Sequence, residues 1–221
     1  MMSNPFDFFD KIYCINLDHR TDRWESAQNE FDKLGIADRV KRISAVNRED
    51  VKAKYGDKVC NLNNPKLGQL AVTESSRKCI DDAVKRGAKN CLTFQDDVCF
   101  RNYDADFFRE ALNELPDDWE TLFLGYECWK RRQLKQIHSE RLLRIEKFWM
   151  AQAVANNTRV FDILYSDWDK IPNPPKYRGG NHEELLWDYN NYGLGYEKRF
   201  AFQLDNENDS DINDGKMRNL T

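Results

Sequence analysis

A regular alternation of strand-like and helix-like segments, running as far as Gly125, is the strongest constraint on the fold. Short apolar runs rich in β-branched and aromatic residues predict strands, and apolar residues recurring every three or four positions predict helices between them. The predicted strands are Lys11–Leu17, Val40–Val46, Asn90–Phe94 and Thr121–Gly125, and the predicted helices are Trp24–Leu34, Leu70–Arg86 and Phe107–Leu115. This order predicts an α/β sandwich with a mostly parallel central sheet.

Local signals refine this prediction. Asp22 with Glu25 three residues later resembles a capping pair at the start of the first helix. Gly35 and Gly87 mark helix ends, and Asn61–Leu67 is predicted to be a loop.

The second half of the chain is less regular. Its segments are predicted as a hairpin or loop at Gln133–Ile145, strands at Met150–Ala155 and Phe200–Leu204, and helices at Arg159–Trp168 and Glu183–Tyr189. Because neither a repeat nor a clean boundary interrupts the 221 residues, we predict one domain over residues 1–221.

Composition excludes several classes of protein. With 34 basic and 38 acidic side chains the net charge is −4, which argues against a nucleic-acid binder. No apolar run reaches the ~18–20 residues of a membrane span. The acidic, aromatic segment Met1–Asp10 does not resemble a secretory signal, so we expect a cytoplasmic protein. Its six cysteines lack zinc-site spacing and are expected to be reduced and mostly buried, although three disulfides are an alternative.

Two polar clusters follow predicted strands, where open α/β sheets bind ligands. The first extends from Asn16 to Arg23 and places Arg20 and Arg23 near a helix N-terminus, an arrangement that suits a diphosphate. A solvated helix start with surface arginines is the alternative.

The second cluster is Gln95, Asp96 and Asp97, whose adjacent carboxylates suit a divalent cation that bridges to phosphate. In an extended chain Gln95 and Asp97 would face one side and Asp96 the other, so only one aspartate would share a face with Gln95. A solvated turn is again the alternative. If both clusters meet at one rim of the sheet, they can neutralise a nucleotide diphosphate together.

Five segments, in order, resemble conserved blocks of glycosyltransferase family 25, which includes lipooligosaccharide and procollagen galactosyltransferases. Residues 15–23 resemble "INLDxRxDR", residues 68–76 "GEIGCxxSH", residues 94–98 "LEDDV" and residues 121–125 "ILYLG". Gln203 followed by residues 210–212 resembles "Q…SDI".

The resemblance implies a GT-A-like fold and an inverting transfer of a hexose, most often galactose, from a UDP-sugar to a glycan or protein hydroxyl. It implies a nucleotide-sugar-binding half at residues 11–125, an acceptor-side half at 126–212 and a tail at 213–221. The residues it assigns to the nucleotide sugar are Asn16, Arg20, Arg23, Ser75, Gln95 and Asp96. It assigns Mn²⁺ (or Mg²⁺) to Asp97 and His182, and the acceptor side to Gln203 and Asp211.

Two departures from the family pattern affect this chemistry. Gln95 replaces the family's first acidic residue, which removes a negative charge beside the cation and is expected to weaken metal binding. Ser76 replaces a family histidine.

An inverting transfer needs a base for the acceptor hydroxyl. Glu183 is the candidate, with Asp188 and Glu127 as rivals. Two other functions stay open: a nucleotide-sugar-binding pseudoenzyme, and a metal-dependent nucleotidyl- or phosphotransferase.

Overall fold

A computed structural model of the chain describes residues 4–127, 134–145, 149–161 and 190–204. Its strands are β1 (Lys11–Asn16), β2 (Val40–Ser44), β3 (Asn90–Gln95), β4 (Val98–Phe100), β5 (Thr121–Glu127), β6 (Leu134–Ile137), β7 (Leu142–Ile145), β8 (Trp149–Asn157), β9 (Asn191–Leu194) and β10 (Ala201–Gln203). Its α-helices are α1 (Thr21–Lys33), α2 (Arg48–Tyr55), α3 (Asn64–Lys85) and α4 (Ala105–Asn113). Short 3₁₀ helices are Pro5–Phe8, Ala37–Arg39, Gly56–Val59 and Tyr196–Lys198.

The described strands form an eight-stranded sheet in the order β2-β1-β3-β8-β5-β9-β7-β6, together with a separate β4–β10 ribbon. Six strands of the large sheet run in one direction, and β7 and β8 run in the other. The α/β class and the mostly parallel sheet are therefore confirmed. The antiparallel β8 lies between β3 and β5, so a strand from the second half of the chain joins those of the first half.

Helices cover both faces of the sheet because successive side chains of each strand point to opposite sides. In β1, Tyr13 and Ile15 belong to the core beneath α2 and α3. Ile12 and Cys14 belong to a second core with α1, α4 and the aromatic N-terminal segment. This two-sided burial explains why β1 reads as a continuous apolar run.

The helix starts differ from the sequence predictions in two places. The predicted capping pair is wrong: α1 begins at Thr21, its N-cap Arg20 makes no side-chain cap, and the Asp22 carboxylate binds the Arg20 guanidinium instead. The predicted loop at Asn61–Leu67 is also wrong beyond Asn63. The Asn63 side chain accepts a hydrogen bond from the Lys66 amide and is the N-cap of α3. The proline in the first turn does not prevent this, because a proline at that position is compatible with a helix.

In the second half, the hairpin alternative for Gln133–Ile145 is confirmed by the antiparallel pair β6–β7. The predicted strands Met150–Ala155 and Phe200–Leu204 correspond to β8 and β10. Residues 158–161 form a helical turn, and the remainder of the predicted helix Arg159–Trp168 lies outside the described residues, as does Glu183–Tyr189.

Four of the five cysteines in the described ranges are buried, Cys60 is exposed, and all five are free thiols. This agrees with the expectation of mostly buried, reduced cysteines. Within the part of the chain that the structure describes, no helix combines the length and apolar character required to cross a bilayer.

Candidate active site at the carboxyl ends of β1 and β3

The two polar clusters lie side by side at one rim of the sheet. Strands β1 and β3 are parallel neighbours, and their register pairs Ile15 with Gln95. The residues that follow these two, Asn16 and Asp96, therefore lie at the same edge of the sheet. The Asn16 side-chain amide donates a hydrogen bond to Asp96 Oδ2 at 2.5 Å. The Arg23 guanidinium lies 3.3 Å from Asp96 Oδ1. The predicted meeting of the two loops is therefore confirmed.

The chain leaves the extended conformation directly after Gln95. Asp96 and Asp97 form the turn between β3 and β4, and both line the same cavity as Gln95. The prediction that only one aspartate shares a side with Gln95 is therefore wrong. It assumed strand alternation beyond the point where the strand ends.

This cavity has a volume of about 390 Å³ and is bounded by the rim of the sheet, the start of α2 and one side of α3. Small and apolar residues form part of its wall, including Ala45, Val46, Gly68, Ala71 and Val72. Charged and polar groups from the strand ends form another part. A cavity with an apolar wall and a few convergent polar groups is typical of a ligand site.

Asp96 is buried and held on both carboxylate oxygens. Burial raises its pKa, while the hydrogen bond from Asn16 and the charge of Arg23 act in the opposite direction. The side chains of Arg23 and Asp96 are 15% and 12% exposed, so the pair is largely shielded from water. Asp96 therefore fixes the Arg23 guanidinium at the cavity wall.

Asp97 is held differently. Its Oδ2 accepts a hydrogen bond from Gln203 Nε2 at 2.8 Å, and its main-chain carbonyl accepts one from the Leu204 amide at 2.7 Å. Its Oδ1 is shielded from solvent and has no hydrogen-bond partner among the described residues. Burial, followed by the nearby charge of Asp96, raises the pKa of Asp97 to about 6.

A buried carboxylate oxygen without a partner is costly, and a hard cation is one group that removes that cost. The residues present therefore fit a divalent cation at Asp97. Within the described ranges, no three His, Cys, Asp or Glu side chains cluster as a complete ligand set. Oxygens of a bound diphosphate are the usual further ligands of such ions.

Two predicted nucleotide-binding residues are placed less directly. Arg20 does not line the cavity, and its guanidinium forms a two-point ion pair with Asp22, at 3.0 and 2.9 Å. Ser75 lines the cavity but is buried, and its hydroxyl donates to the Ala71 carbonyl and accepts from the Val46 amide. Ser75 thus fixes the β2–α2 connection against α3.

The β2–α2 connection adds residues to the cavity wall that the sequence patterns did not predict, notably Asn47 and Arg48. A signal existed, because this connection follows a strand that ends at the same rim and Asn47 forms a capping box with Asp50. His19 also lines the cavity. It lies inside the first polar cluster, but no sequence pattern predicts a role for it.

Arg42, in the middle of β2, is another residue that the sequence patterns did not predict. Its guanidinium donates to Asn16 Oδ1 and lies 5.2 Å from the ring centre of Trp24. It therefore fixes which end of the Asn16 amide faces Asp96.

Of the remaining predicted residues, Gln203 lines the cavity. Glu183, His182, Asp188 and Asp211 lie outside the described residues, and Glu127 is the last residue of β5. Gln203, predicted for the acceptor side, contacts Asp97 instead of standing apart from it.

The fold resembles two solved structures at low identity. One is described as a glycosyltransferase involved in the glycosylation of the major capsid of PBCV-1; the identity is 8%, the TM-score is 0.48, and the alignment covers 81% of this chain and 74% of that one. The other is mannose-1-phosphate geranyltransferase from Thermus thermophilus, with 13% identity, a TM-score of 0.44, and coverage of 86% and 74%. Neither likeness carries information about the substrate.

The sequence model of glycosyltransferase family 25, described as an LPS biosynthesis protein, matches residues 9–179. This range contains Asn16, Arg23, Asp96 and Asp97, which the structure brings together, and it ends before Gln203. Because the match covers far more than half of the chain, the protein belongs to glycosyltransferase family 25.

Proposed function

We propose that this glycosyltransferase moves a hexose, galactose or glucose, from a UDP-sugar to a hydroxyl of a glycan or protein, with inversion, on a GT-A-like fold. The observation that carries the proposal is the convergence of Asn16 and Arg23 with Asp96 and Asp97 around one cavity. A cationic side chain and two carboxylates at the carboxyl ends of neighbouring strands suit a diphosphate with its cation.

The nucleotide and its diphosphate occupy the cavity between the first loop, the start of α2 and α3. Arg23 faces this space and is held there by Asp96, so its orientation is set before the ligand arrives. Arg48, the first residue of α2, adds a second guanidinium to the wall. Arg20 stabilises the loop through Asp22 and contributes positive charge behind it.

Asp97 holds the cation, Mn²⁺ or Mg²⁺, through the oxygen that has no hydrogen-bond partner among the described residues. When bound, such an ion withdraws negative charge from the departing diphosphate. Gln95 lies beside Asp97 on the cavity wall and supplies an amide oxygen without charge. Metal affinity is therefore expected to be lower than with a glutamate at this position.

Glu183 is proposed as the base that takes the proton of the acceptor hydroxyl, with Asp188 and Glu127 as rivals. His182 is proposed as a further metal ligand and Asp211 as an acceptor-side residue. These assignments rest on the family pattern alone.

The proposal is tested by replacing Asp97 with Asn and measuring thermal unfolding with UDP in the presence and absence of MnCl₂. UDP at about 100 times its Kd stabilises a protein by about 2.7 kcal/mol, which is about 5–10 °C for a chain of this size. We expect this shift in the wild type with Mn²⁺ and its loss in Asp97→Asn. Asp32→Asn, an exposed aspartate on α1, is the matched control.

Unchanged affinity and turnover of UDP-galactose in Asp97→Asn would show that Asp97 has no role in binding the donor, and the proposed site would be wrong. Stabilisation by ATP but not by UDP would favour the nucleotidyl- or phosphotransferase alternative. Binding of UDP-galactose with Mn²⁺ but without donor hydrolysis would favour a pseudoenzyme.

A further inference from the structure

The ribbon β4–β10 brings a C-terminal residue onto the proposed metal ligand. In this ribbon Gln203 pairs with Val98, the residue that follows Asp97. The Gln203 side chain therefore reaches the Asp97 carboxylate, and its Nε2 donates to Oδ2 at 2.8 Å. The next residue, Leu204, donates its amide to the Asp97 carbonyl at 2.7 Å. Two consecutive residues thus hold Asp97 at its main chain and at its side chain.

These two contacts determine which carboxylate oxygen is available. Oδ2 is occupied by the Gln203 amide, whereas Oδ1 has no hydrogen-bond partner among the described residues. Without the amide, rotation about the Cβ–Cγ bond of Asp97 would exchange the two oxygens and leave the carboxylate with no fixed direction. A hydrogen bond to the second oxygen of a ligating carboxylate is a common way to orient a metal ligand.

We infer that Gln203 is a positioning residue that orients Asp97 for binding the divalent cation. This inference rests on the proposed function, because it takes Asp97 as the metal ligand. It differs from the role that the family pattern gave Gln203, which was a contact with the acceptor. It also adds a residue beyond the family match, which ends at residue 179.

The test is the affinity for the metal alone, measured on the full chain from the electron paramagnetic resonance signal of free Mn²⁺ during titration with MnCl₂. Gln203→Met keeps the length of the side chain but removes its N–H donor. Loss of such an orienting partner typically costs about 10- to 100-fold in metal affinity, and we expect a rise of that size in the Kd for Mn²⁺. Gln28→Met, at an exposed position on α1, is the control and should bind Mn²⁺ as the wild type does.

A second variant distinguishes the loss of an orienting contact from a folding defect. Gln203→Asn keeps the amide and its polarity but withdraws it by one methylene, so the same weakening is expected in a chain that melts as the wild type does. If the wild type binds Mn²⁺ and both Gln203 variants bind it equally well, this inference fails while the proposed function stands. If the wild type itself binds no Mn²⁺, the metal site of the proposed function fails as well.

Discussion

At the scale of single residues, the amide of Asn16 connects the first loop to the acidic turn. Its nitrogen donates to Asp96 and to the Arg20 carbonyl, and its oxygen accepts from Arg42. Arg42 also lies within hydrogen-bond reach of the Leu17 and Asp18 carbonyls, at 3.5 and 3.4 Å. The orientation of Asp96 thus depends on a side chain that does not line the cavity.

Arg42→Met is therefore expected to weaken UDP binding although Arg42 does not line the cavity. Without the guanidinium the Asn16 side-chain oxygen loses its donor, so the amide that holds Asp96 is fixed less firmly. A hydrogen bond to a charged group is worth about 1.5–3 kcal/mol, so we expect a rise of about tenfold or more in the Kd of UDP by calorimetry with Mn²⁺. Arg109→Met removes an arginine of a surface ion pair on α4 and should leave this Kd unchanged.

A double-mutant cycle separates this positioning from simple loss of charge. If Arg42 acts through Asn16, Arg42→Met should cost little more in a chain that already carries Asn16→Ala. Fully additive losses would show that Arg42 acts on the nucleotide independently of Asn16.

The sequence patterns pointed to Asn16, Arg23, Asp96 and Asp97 because each lies at the end of a predicted strand or in the segment that follows it, and strand ends are where ligands bind in α/β sheets. Arg42 gave no such signal. It is an interior residue of β2, and only the pairing of Cys14 with Arg42 across two strands brings it near Asn16. Long-range register of this kind is not encoded in local patterns, so positioning residues are harder to predict than the residues they orient.

At the scale of elements, β10, which carries Gln203 to the acidic turn, passes β5 at very short distance. A Cβ added to Gly125 would lie 1.9 Å from the Ala201 carbonyl oxygen, which is a main-chain atom and cannot rotate away. Gly125→Ala must therefore displace β10, the strand that carries Gln203.

We expect Gly125→Ala to lower the free energy of unfolding by about 3 kcal/mol, the upper part of the usual range for overpacking, and also to weaken Mn²⁺ binding. Urea unfolding and the Mn²⁺ titration measure the two effects. Gly195→Ala is the control, since a Cβ there meets nothing closer than 3.8 Å. Unfolding of Gly125→Ala at the wild-type urea concentration would contradict the close packing of β5 and β10.

Among the elements that were not predicted, which include β9, helix α2 and strand β4 were missed for reasons visible in their sequences. Helix α2 buries only Val51, so it lacks the apolar periodicity by which helices are recognised. Strand β4 has three residues and follows the acidic turn directly, so it is too short to register as a strand. Both omissions matter for function because α2 supplies Arg48 to the cavity and β4 pairs with the strand of Gln203.

At the scale of the whole molecule, the candidate site draws on distant parts of the chain. Asn16 and Arg23 come from its beginning, Asp96 and Asp97 from the middle, and Gln203 from near its end. The alternation up to Gly125 predicted the first two groups and their meeting. It could not predict that β8 enters the sheet between β3 and β5, because nothing in the local sequence of β8 specifies its neighbours.

The attachment of α3 to the edge of the sheet gives the whole fold a specific response to acid. Asp82 on α3 accepts hydrogen bonds from Tyr13 of β1, Lys41 of β2 and Arg86, at 2.9, 2.7 and 2.9 Å. Burial alone would raise the pKa of Asp82, but the hydrogen bonds from Lys41, Arg86 and Tyr13 outweigh it and lower the pKa to about 2. The folded state therefore binds this proton less readily than the unfolded chain.

Because the pKa of Asp82 is lowered on folding, its contribution to stability is complete above about pH 4 and is lost as the pH falls from about 4 to 2. A shift of this size corresponds to about 2 kcal/mol, and solvent screening at the half-exposed Lys41 and Arg86 reduces it to about 1 kcal/mol. Asp82→Asn should accordingly unfold about 1 kcal/mol more easily than the wild type in urea at pH 7, and the difference should shrink below pH 4. Asp32→Asn, at an exposed position on α1, should show no such difference. A deficit in Asp82→Asn that stays constant from pH 7 to pH 3 would mean that packing, and not the charge of Asp82, fixes α3 to the sheet.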